Sequence, residues 1–139
     1  MKTKHVLVVE DNPDILVLTS EMLADLELDS TNLTINACSD GASALEQIQK
    51  HKFDLIITDL RLPHLNGDEL IRKINSGDGP NRRTSVVLTS GYLQDFGEGR
   101  ASLGPAPAES KVYILQKPFR RKELQSVVER WLEDQRVRA

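Results

Sequence analysis

The sequence predicts an α/β domain in which five parallel strands form one doubly wound sheet with helices on both faces. Short apolar runs rich in β-branched residues alternate with segments whose apolar residues recur at helical spacing. The runs are apolar almost throughout, which is typical of parallel strands that are covered on both faces. A regular strand–helix alternation favours this layered architecture over an antiparallel one.

The first half of the chain contains three predicted strands and two predicted helices. The strands cover residues 5–9, 33–38 and 53–58. The first helix is expected over 13–26, because Pro13 suits a first helical turn and Asp11 or Asn12 can cap it. Asp40 then begins the second helix. The positions expected to face the sheet are Ile15, Leu18, Met22 and Leu26 in the first helix, and Ala44, Leu45 and Ile48 in the second.

The second half continues the alternation less regularly. Gly67 leads a third helix whose first turn is acidic, where negative charge favours the helix dipole. The fourth and fifth strands are predicted at 85–90 and 112–116. Between them, residues 91–111 are rich in glycine, proline and serine, which predicts an irregular or shortened fourth helix. The last helix has the clearest apolar stripe, formed by Leu124, Val127, Val128, Trp131 and Leu132.

Composition and charge exclude several classes of protein. The chain has 139 residues, 39% hydrophobic and 28% charged, with a net charge of −3, so nothing favours a nucleic-acid or anionic-membrane partner. No apolar run approaches the roughly 20 residues of a membrane span, and the N-terminal one is too short for a signal peptide. The lone cysteine, Cys38, excludes an intramolecular disulfide and is expected in the core. We therefore expect a cytoplasmic protein.

Polar and charged residues stand at the C-terminal ends of four predicted strands. In a parallel sheet with a central first strand, these ends converge on one edge near the topological switch point. Taken singly, each residue would be an ordinary turn residue, helix cap or surface lysine, but together they indicate a site. The set comprises Glu10 and Asp11 after the first strand, Asp59 after the third, Thr89 and Ser90 at the fourth, and Lys117 after the fifth.

This set of side chains suits phosphoryl transfer. Adjacent carboxylates repel one another, and a divalent cation removes the conflict. All-oxygen ligands with several retained waters favour Mg²⁺. A carboxylate is also a nucleophile toward phosphorus, and the transferred group needs a metal, a cation and hydrogen-bond donors around its oxygens. The ammonium of Lys117 and a strand-end hydroxyl can supply these donors.

Four stretches, VLVVEDNPD, DLIITDLRLPHLNG, VVLTSGY and LQKPF, resemble the motifs of response regulator receiver domains of two-component signalling, in order and at nearly the usual spacing. The resemblance covers roughly residues 5–133 and implies a flavodoxin-like receiver fold. It implies a phosphoacceptor that catalyses only its own phosphorylation and dephosphorylation. The phosphoryl group would come from a histidine kinase or phosphotransfer protein, and the domain, a monomer or weak dimer, would signal by conformational change to an unknown downstream protein.

The resemblance also implies a role for each site residue. Asp59 would be the phosphoacceptor, and Glu10, Asp11, Asp59 and the backbone carbonyl of Arg61 would hold Mg²⁺.

Lys117 would bind a phosphoryl oxygen, and its peptide bond to Pro118 is cis in the family. The switch hydroxyl is Ser90 or Thr89. Ser90 is favoured, because the small residue Gly91 follows it.

The sequence departs from the family pattern at two places. Ile114 stands three residues before Lys117, where an aromatic residue is frequent, and the segment 91–111 replaces or reduces the fourth helix. Both departures concern the usual output surface rather than the chemistry. We expect the order of 91–111 to change on phosphorylation.

Two alternative functions use similar residues. A haloacid-dehalogenase-type phosphatase also has a strand-end aspartate and Mg²⁺, but requires a second acid where Arg61 stands. A pseudo-receiver that only binds partners usually lacks the aspartate or the lysine, and both are present here. The sequence is interpreted as a single receiver domain over 1–139 without an output domain, either stand-alone or part of a larger sensor kinase.

Overall fold

The computed structural model describes residues 2–76, 79–92 and 111–138. Its strands are β1 Lys2–Val9, β2 Thr31–Cys38, β3 Leu55–Asp59, β4 Ser85–Ser90 and β5 Val112–Gln116. Its helices are α1 Pro13–Ala24, α2 Gly41–Lys50, α3 Gly67–Ser76 and α4 Arg121–Arg138. Among these described helices, none combines the length and apolar character that crossing a membrane requires.

All five strands are parallel and lie in the order β2-β1-β3-β4-β5. The strand order reverses beside β1, so the edge beyond β1 and β3 is the topological switch point at which α/β sheets carry their sites. The arrangement confirms the predicted doubly wound fold. The irregular or shortened helix predicted between β4 and β5, and the predicted change in its order, fall mainly on residues 93–110, which lie outside the described residues. The label α4 therefore denotes the helix that follows β5.

Two apolar cores cover the two faces of the sheet, because alternate strand residues point to opposite sides. One core joins strand residues such as Leu7 and Ile56 to α2 and α3. It includes Cys38, which is buried as predicted. The other joins residues such as Val8 and Ile57 to α1 and α4. The stripe predicted on the last helix lies in this second core, where Trp131 is fully buried.

The first three strands differ from the predicted ranges for reasons of backbone pairing, and β2 begins at Thr31 rather than at residue 33. β1 begins at Lys2 rather than at residue 5, because Lys2 is paired with Thr31 of β2. This pairing uses main-chain groups and leaves no apolar signal in the sequence. Phe53 is buried but precedes β3, and its amide donates to the side-chain oxygen of Asn81 at 2.7 Å. β3 instead extends to include Asp59.

The inward face of α1 also differs from the prediction. Asn12 is the cap, and the helix ends at Ala24, two residues early. Leu18 was predicted to face the sheet, but it is 52% exposed. The buried positions are Thr19 and Leu23. The apolar residues of this helix are compatible with more than one inward-facing stripe. The stripe that packs against the sheet includes the polar Thr19, so apolar periodicity alone does not identify it.

Candidate functional site

Three acidic side chains meet at the edge of the sheet where β1 and β3 end. Glu10 and Asp11 directly follow β1, and Asp59 is the last residue of the neighbouring β3. One carboxylate oxygen from each lies within 4.8 Å of the others. Glu10 and Asp59 are buried, with 3% and 7% of their surface exposed, whereas Asp11 is exposed. The spacing and the hard oxygen donors fit a small divalent cation with water completing its shell.

Lys117 brings the fourth charged group to this edge. Its Nζ donates to Oδ2 of Asp59 at 2.8 Å and to Oε1 of Glu10. The backbone holds the residue in place, because the Lys117 amide donates to the carbonyl of Ser90 at 2.7 Å. The peptide bond to Pro118 is cis, as the resemblance implied. The lysine side chain is 17% exposed, so its ammonium lies inside the site rather than in solvent.

The ionisation of these groups follows from burial and their mutual contacts. Burial raises the pKa of Glu10, and the charge of Asp59 adds to this, against the lowering effect of bonds from Lys117 and the Asn12 amide. For Lys117, burial lowers the pKa, but the hydrogen bonds to Asp59 and Glu10 outweigh it and the pKa is raised. Lys117 is therefore a cation, and its ammonium is shared between the carboxyl groups of Glu10 and Asp59.

The two candidate hydroxyls lie on opposite faces of β4. Thr89 is paired with Asp59 and, by the alternation along the strands, shares its face of the sheet. Ser90 lies on the other face, which it shares with Ile114 of β5. Its Oγ accepts a hydrogen bond from the amide of Tyr92 at 3.0 Å. Both hydroxyl residues are buried.

The aromatic residue of β5 points away from the Ser90 face. Tyr113 packs in the core against α4, and its hydroxyl donates to the carboxylate of Asp134. Ile114 therefore occupies the position beside Ser90, as the alternation of the strand predicted.

The segment between β3 and α3 lies against Asp59. The amide of Arg61 donates to Asp59 Oδ1 at 3.1 Å, and the Arg61 guanidinium lies 3.9 Å from the centroid of the Tyr92 ring. The Gly67 amide donates to the carbonyl of Leu60 at 2.9 Å. A Cβ on Gly67 would approach the Asp59 carbonyl oxygen to 2.4 Å. The sequence signalled a turn here through Asn-Gly, but the close approach to Asp59 was not predicted.

Comparisons with known proteins identify relatives of this chain. The sequence model of the response regulator receiver domain matches residues 6–129. The transcription factor Skn7 of Saccharomyces cerevisiae is 29% identical over 130 residues, which cover 94% of this chain and 19% of Skn7. The response regulator receiver protein CpdR of Brucella abortus is 28% identical over 132 residues, which cover 93% of this chain and 97% of CpdR.

One of the similar solved structures contains a metal ion. The receiver domain of the sensor histidine kinase PA1611 of Pseudomonas aeruginosa has a magnesium ion coordinated in its active-site cleft. It is 27% identical, with a TM-score of 0.73, and the match covers 94% of this chain and 98% of that one. Several of the curated relatives are much longer proteins, and the chain spans 19% of Skn7 and 10% of the sensor histidine kinase TmoS of Ectopseudomonas mendocina.

Proposed function

The chain belongs to the response regulator receiver domain family of two-component signalling, and from this premise we propose that Asp59 is its phosphoacceptor. A histidine kinase or phosphotransfer protein would donate the phosphoryl group in a Mg²⁺-dependent reaction in the cytoplasm. The carboxylate oxygen attacks phosphorus, the bond from phosphorus to the donor's imidazole nitrogen breaks, and that nitrogen leaves with the bonding electrons. The phosphorylated domain then signals to a downstream protein.

The observation that carries this proposal is the way in which the Asp59 carboxylate is held. It ends a strand that is buried along its whole length, so its backbone has little freedom. Its two oxygens have different partners, because Oδ1 accepts from the Arg61 amide and Oδ2 from the ammonium of Lys117. A carboxylate held in one orientation beside a cation is positioned for nucleophilic attack once the Lys117 ammonium turns toward the phosphoryl group.

The acidic cluster is the proposed Mg²⁺ site. Glu10, Asp11 and Asp59 would contribute carboxylate oxygens, and Arg61 its backbone carbonyl. The proximity of the three carboxylates supports this assignment, as does the magnesium ion in the PA1611 receiver domain. Bound there, Mg²⁺ would neutralise negative charge on the phosphoryl oxygens.

Lys117 and Ser90 are proposed to respond to the phosphoryl group. The ammonium of Lys117 would turn from Glu10 and Asp59 to a phosphoryl oxygen, and its contact with Asp59 Oδ2 at 2.8 Å supports this assignment. Ser90 is proposed as the switch hydroxyl. It is the last residue of β4, and among the described residues no atom lies within 4 Å of a Cβ built on Gly91 beyond it, which supports room for movement there. Thr89, on the Asp59 face, is the alternative.

Replacement of the acceptor tests this function. Asp59→Asn should not be labelled by acetyl phosphate in the presence of Mg²⁺, because an amide is not a nucleophile toward phosphorus, and intact-mass spectrometry should show no added phosphoryl group. The matched control is Asp29→Asn, the same change at an exposed residue outside the site, which should be labelled like the wild type. Full labelling of Asp59→Asn would refute the assignment.

A further inference from the structure

The loop formed by residues 60–66, between β3 and α3, is in close contact with the start of α2, and we propose that Gly41 is a positioning residue for the phosphoacceptor site. Gly41 is the first residue of α2 and is buried. Its role is to let the loop lie close enough to α2 for Arg61 to keep its place beside Asp59. The inference rests on the proposed function, because it assigns Gly41 to the support of the Mg²⁺ and phosphoacceptor residues.

The contact between Gly41 and the loop leaves no room for a side chain. A Cβ at this position would lie 2.6 Å from the carbonyl oxygen of Leu65 and 2.9 Å from the Leu65 Cβ. A flexible side-chain end could rotate away, but a backbone oxygen moves only if the loop itself moves. Any residue other than glycine at position 41 therefore displaces the loop or α2.

The loop is tied to Asp59 tightly enough to carry such a displacement to the site. At its start, the Leu60 amide donates to the Thr89 carbonyl at 2.9 Å. At its end, Gly67 bonds back to Leu60 and leaves no space between itself and the Asp59 carbonyl.

The interior of the loop is also anchored. Leu60 and Leu62 are buried in the core that the sheet shares with α2 and α3, with 7% and 4% of their surface exposed. The loop is therefore a packed element rather than a free connection. A push at Leu65 is transmitted along it to the Arg61 amide, which bonds the Asp59 carboxylate.

A purely local role for Gly41 predicts a different outcome. The start of α2 is already capped by Asp40, whose carboxylate accepts from the Ser43 amide at 2.7 Å. Alanine is a better helix former than glycine, so a residue needed only for the helix would tolerate Gly41→Ala without loss. The positioning role predicts that the same change disturbs the site.

The test compares Gly41→Ala with Gly79→Ala, the same change where a Cβ would meet no atom of the described residues within 4 Å. In the metal-free protein, ¹H–¹⁵N spectra should show the Arg61 amide resonance shifted in Gly41→Ala and unchanged in Gly79→Ala. Titration with MgCl₂ should show affinity reduced about tenfold in Gly41→Ala alone, the size typical of groups that orient metal ligands.

Wild-type values of both the Arg61 resonance and the Mg²⁺ affinity in Gly41→Ala would overturn the proposal. If that variant does not fold, Leu65→Gly removes the Leu65 Cβ and Cδ2 from the same contact, and wild-type values in that variant would overturn it equally. A wild-type protein that binds no Mg²⁺, or whose binding survives Asp11→Ala, would instead refute the proposed metal site. The Arg61 resonance in the metal-free variants would still decide the role of Gly41.

Discussion

At the scale of single residues, Lys117 and Asp11 contribute to the site in separable ways. Lys117 bonds two of the carboxylates proposed for Mg²⁺, so we expect it to compete with the ion as well as to bind the phosphoryl group. Asp11 is the exposed member of the cluster. One residue is therefore expected to act mainly on the phosphoryl group, and the other on the metal.

Substitutions should separate these two contributions. Lys117→Ala should leave Mg²⁺ affinity intact or raise it, because a competing cation is removed, and should slow phosphorylation on the order of a hundredfold through the loss of a charged donor. Asp11→Ala should weaken Mg²⁺ binding and slow phosphorylation together. Metal titration and a mass-spectrometric time course with acetyl phosphate measure both effects. Unchanged metal affinity in Asp11→Ala would mean that the acidic pair is not a metal site.

The stacked pair of Arg61 and Tyr92 leads to a prediction about dephosphorylation. The guanidinium lies over the ring and joins the segment after β3 to the end of β4, beside Asp59. An exposed contact of this kind contributes about 0.5–1 kcal/mol, enough to keep both groups in place most of the time. The pair should hinder the approach of water to the phosphoryl group, so the phosphorylated wild type should decay more slowly than the Arg61→Ala, Tyr92→Ala double mutant.

The single mutants sharpen this test. Each removes the stack, so each should lose most of the protection that the double mutant loses, and the two effects should not add. Decay of the phosphorylated mass after removal of the donor gives the rates. Equal rates in the wild type and the double mutant would show that the stack does not shield the site.

The site residues were predictable from the sequence to different degrees. Glu10, Asp11, Asp59 and Lys117 were identified because strand ends in a parallel sheet share one edge, and the structure brings them together. The role proposed for Gly41 was not predictable from the sequence. It depends on a contact with Leu65, which is distant along the chain, and no local sequence pattern indicates that contact.

At the scale of secondary-structure elements, prediction worked best where one pattern dominated. β4 and β5 have the predicted bounds, because both are short apolar runs with a clear start and end. The inward face of α1 was predicted incorrectly at Leu18, because Thr19 lies in the buried row while neighbouring apolar residues are exposed. A threonine can be buried in a helix when side chains of the sheet beneath it cover it, and this is decided by tertiary packing.

The attachment of α4 to β5 should depend on pH. The Tyr113 hydroxyl donates to the carboxylate of Asp134, and Lys111 lies 3.3 Å from the same group. The hydrogen bond from Tyr113 lowers the pKa of Asp134 below its usual 3.8, with a further contribution from Lys111. A lowered pKa in the folded state stabilises the fold above the unfolded pKa, and that stabilisation is lost as the pH falls through the folded value.

Tyr113→Phe should therefore lower the free energy of unfolding at pH 7, and its difference from the wild type should shrink below about pH 3.8. Urea unfolding at pH 7 and pH 3 measures both values. Tyr92→Phe, the same change at an exposed tyrosine, serves as the control and should change neither. A difference between Tyr113→Phe and the wild type that is equal at the two pH values would show that the hydrogen bond to ionised Asp134 is not its source.

At the scale of the whole molecule, the sheet order explains why one edge concentrates charge. With β1 and β3 adjacent at the centre, the ends of both strands deliver acids to the same place, and β4 and β5 follow with a hydroxyl and a lysine. Burial of Glu10 opposes folding, because the pKa of this carboxyl is raised even with Lys117 bonded to it. The site is thus arranged for binding rather than for stability, and a bound cation should stabilise the entire fold.

Mg²⁺ should accordingly raise the midpoint of thermal unfolding in a way that depends on the acidic cluster. A ligand that binds only the folded state at ten times its dissociation constant stabilises that state by about 1.4 kcal/mol. For a domain of this size, such a gain raises the midpoint by roughly 5 °C. Calorimetry of the wild type and Asp11→Ala, with MgCl₂ and with NaCl of equal ionic strength, isolates the specific effect. Because screening by salt acts on both proteins alike, an equal rise in Asp11→Ala would place the stabilising ion elsewhere on the surface.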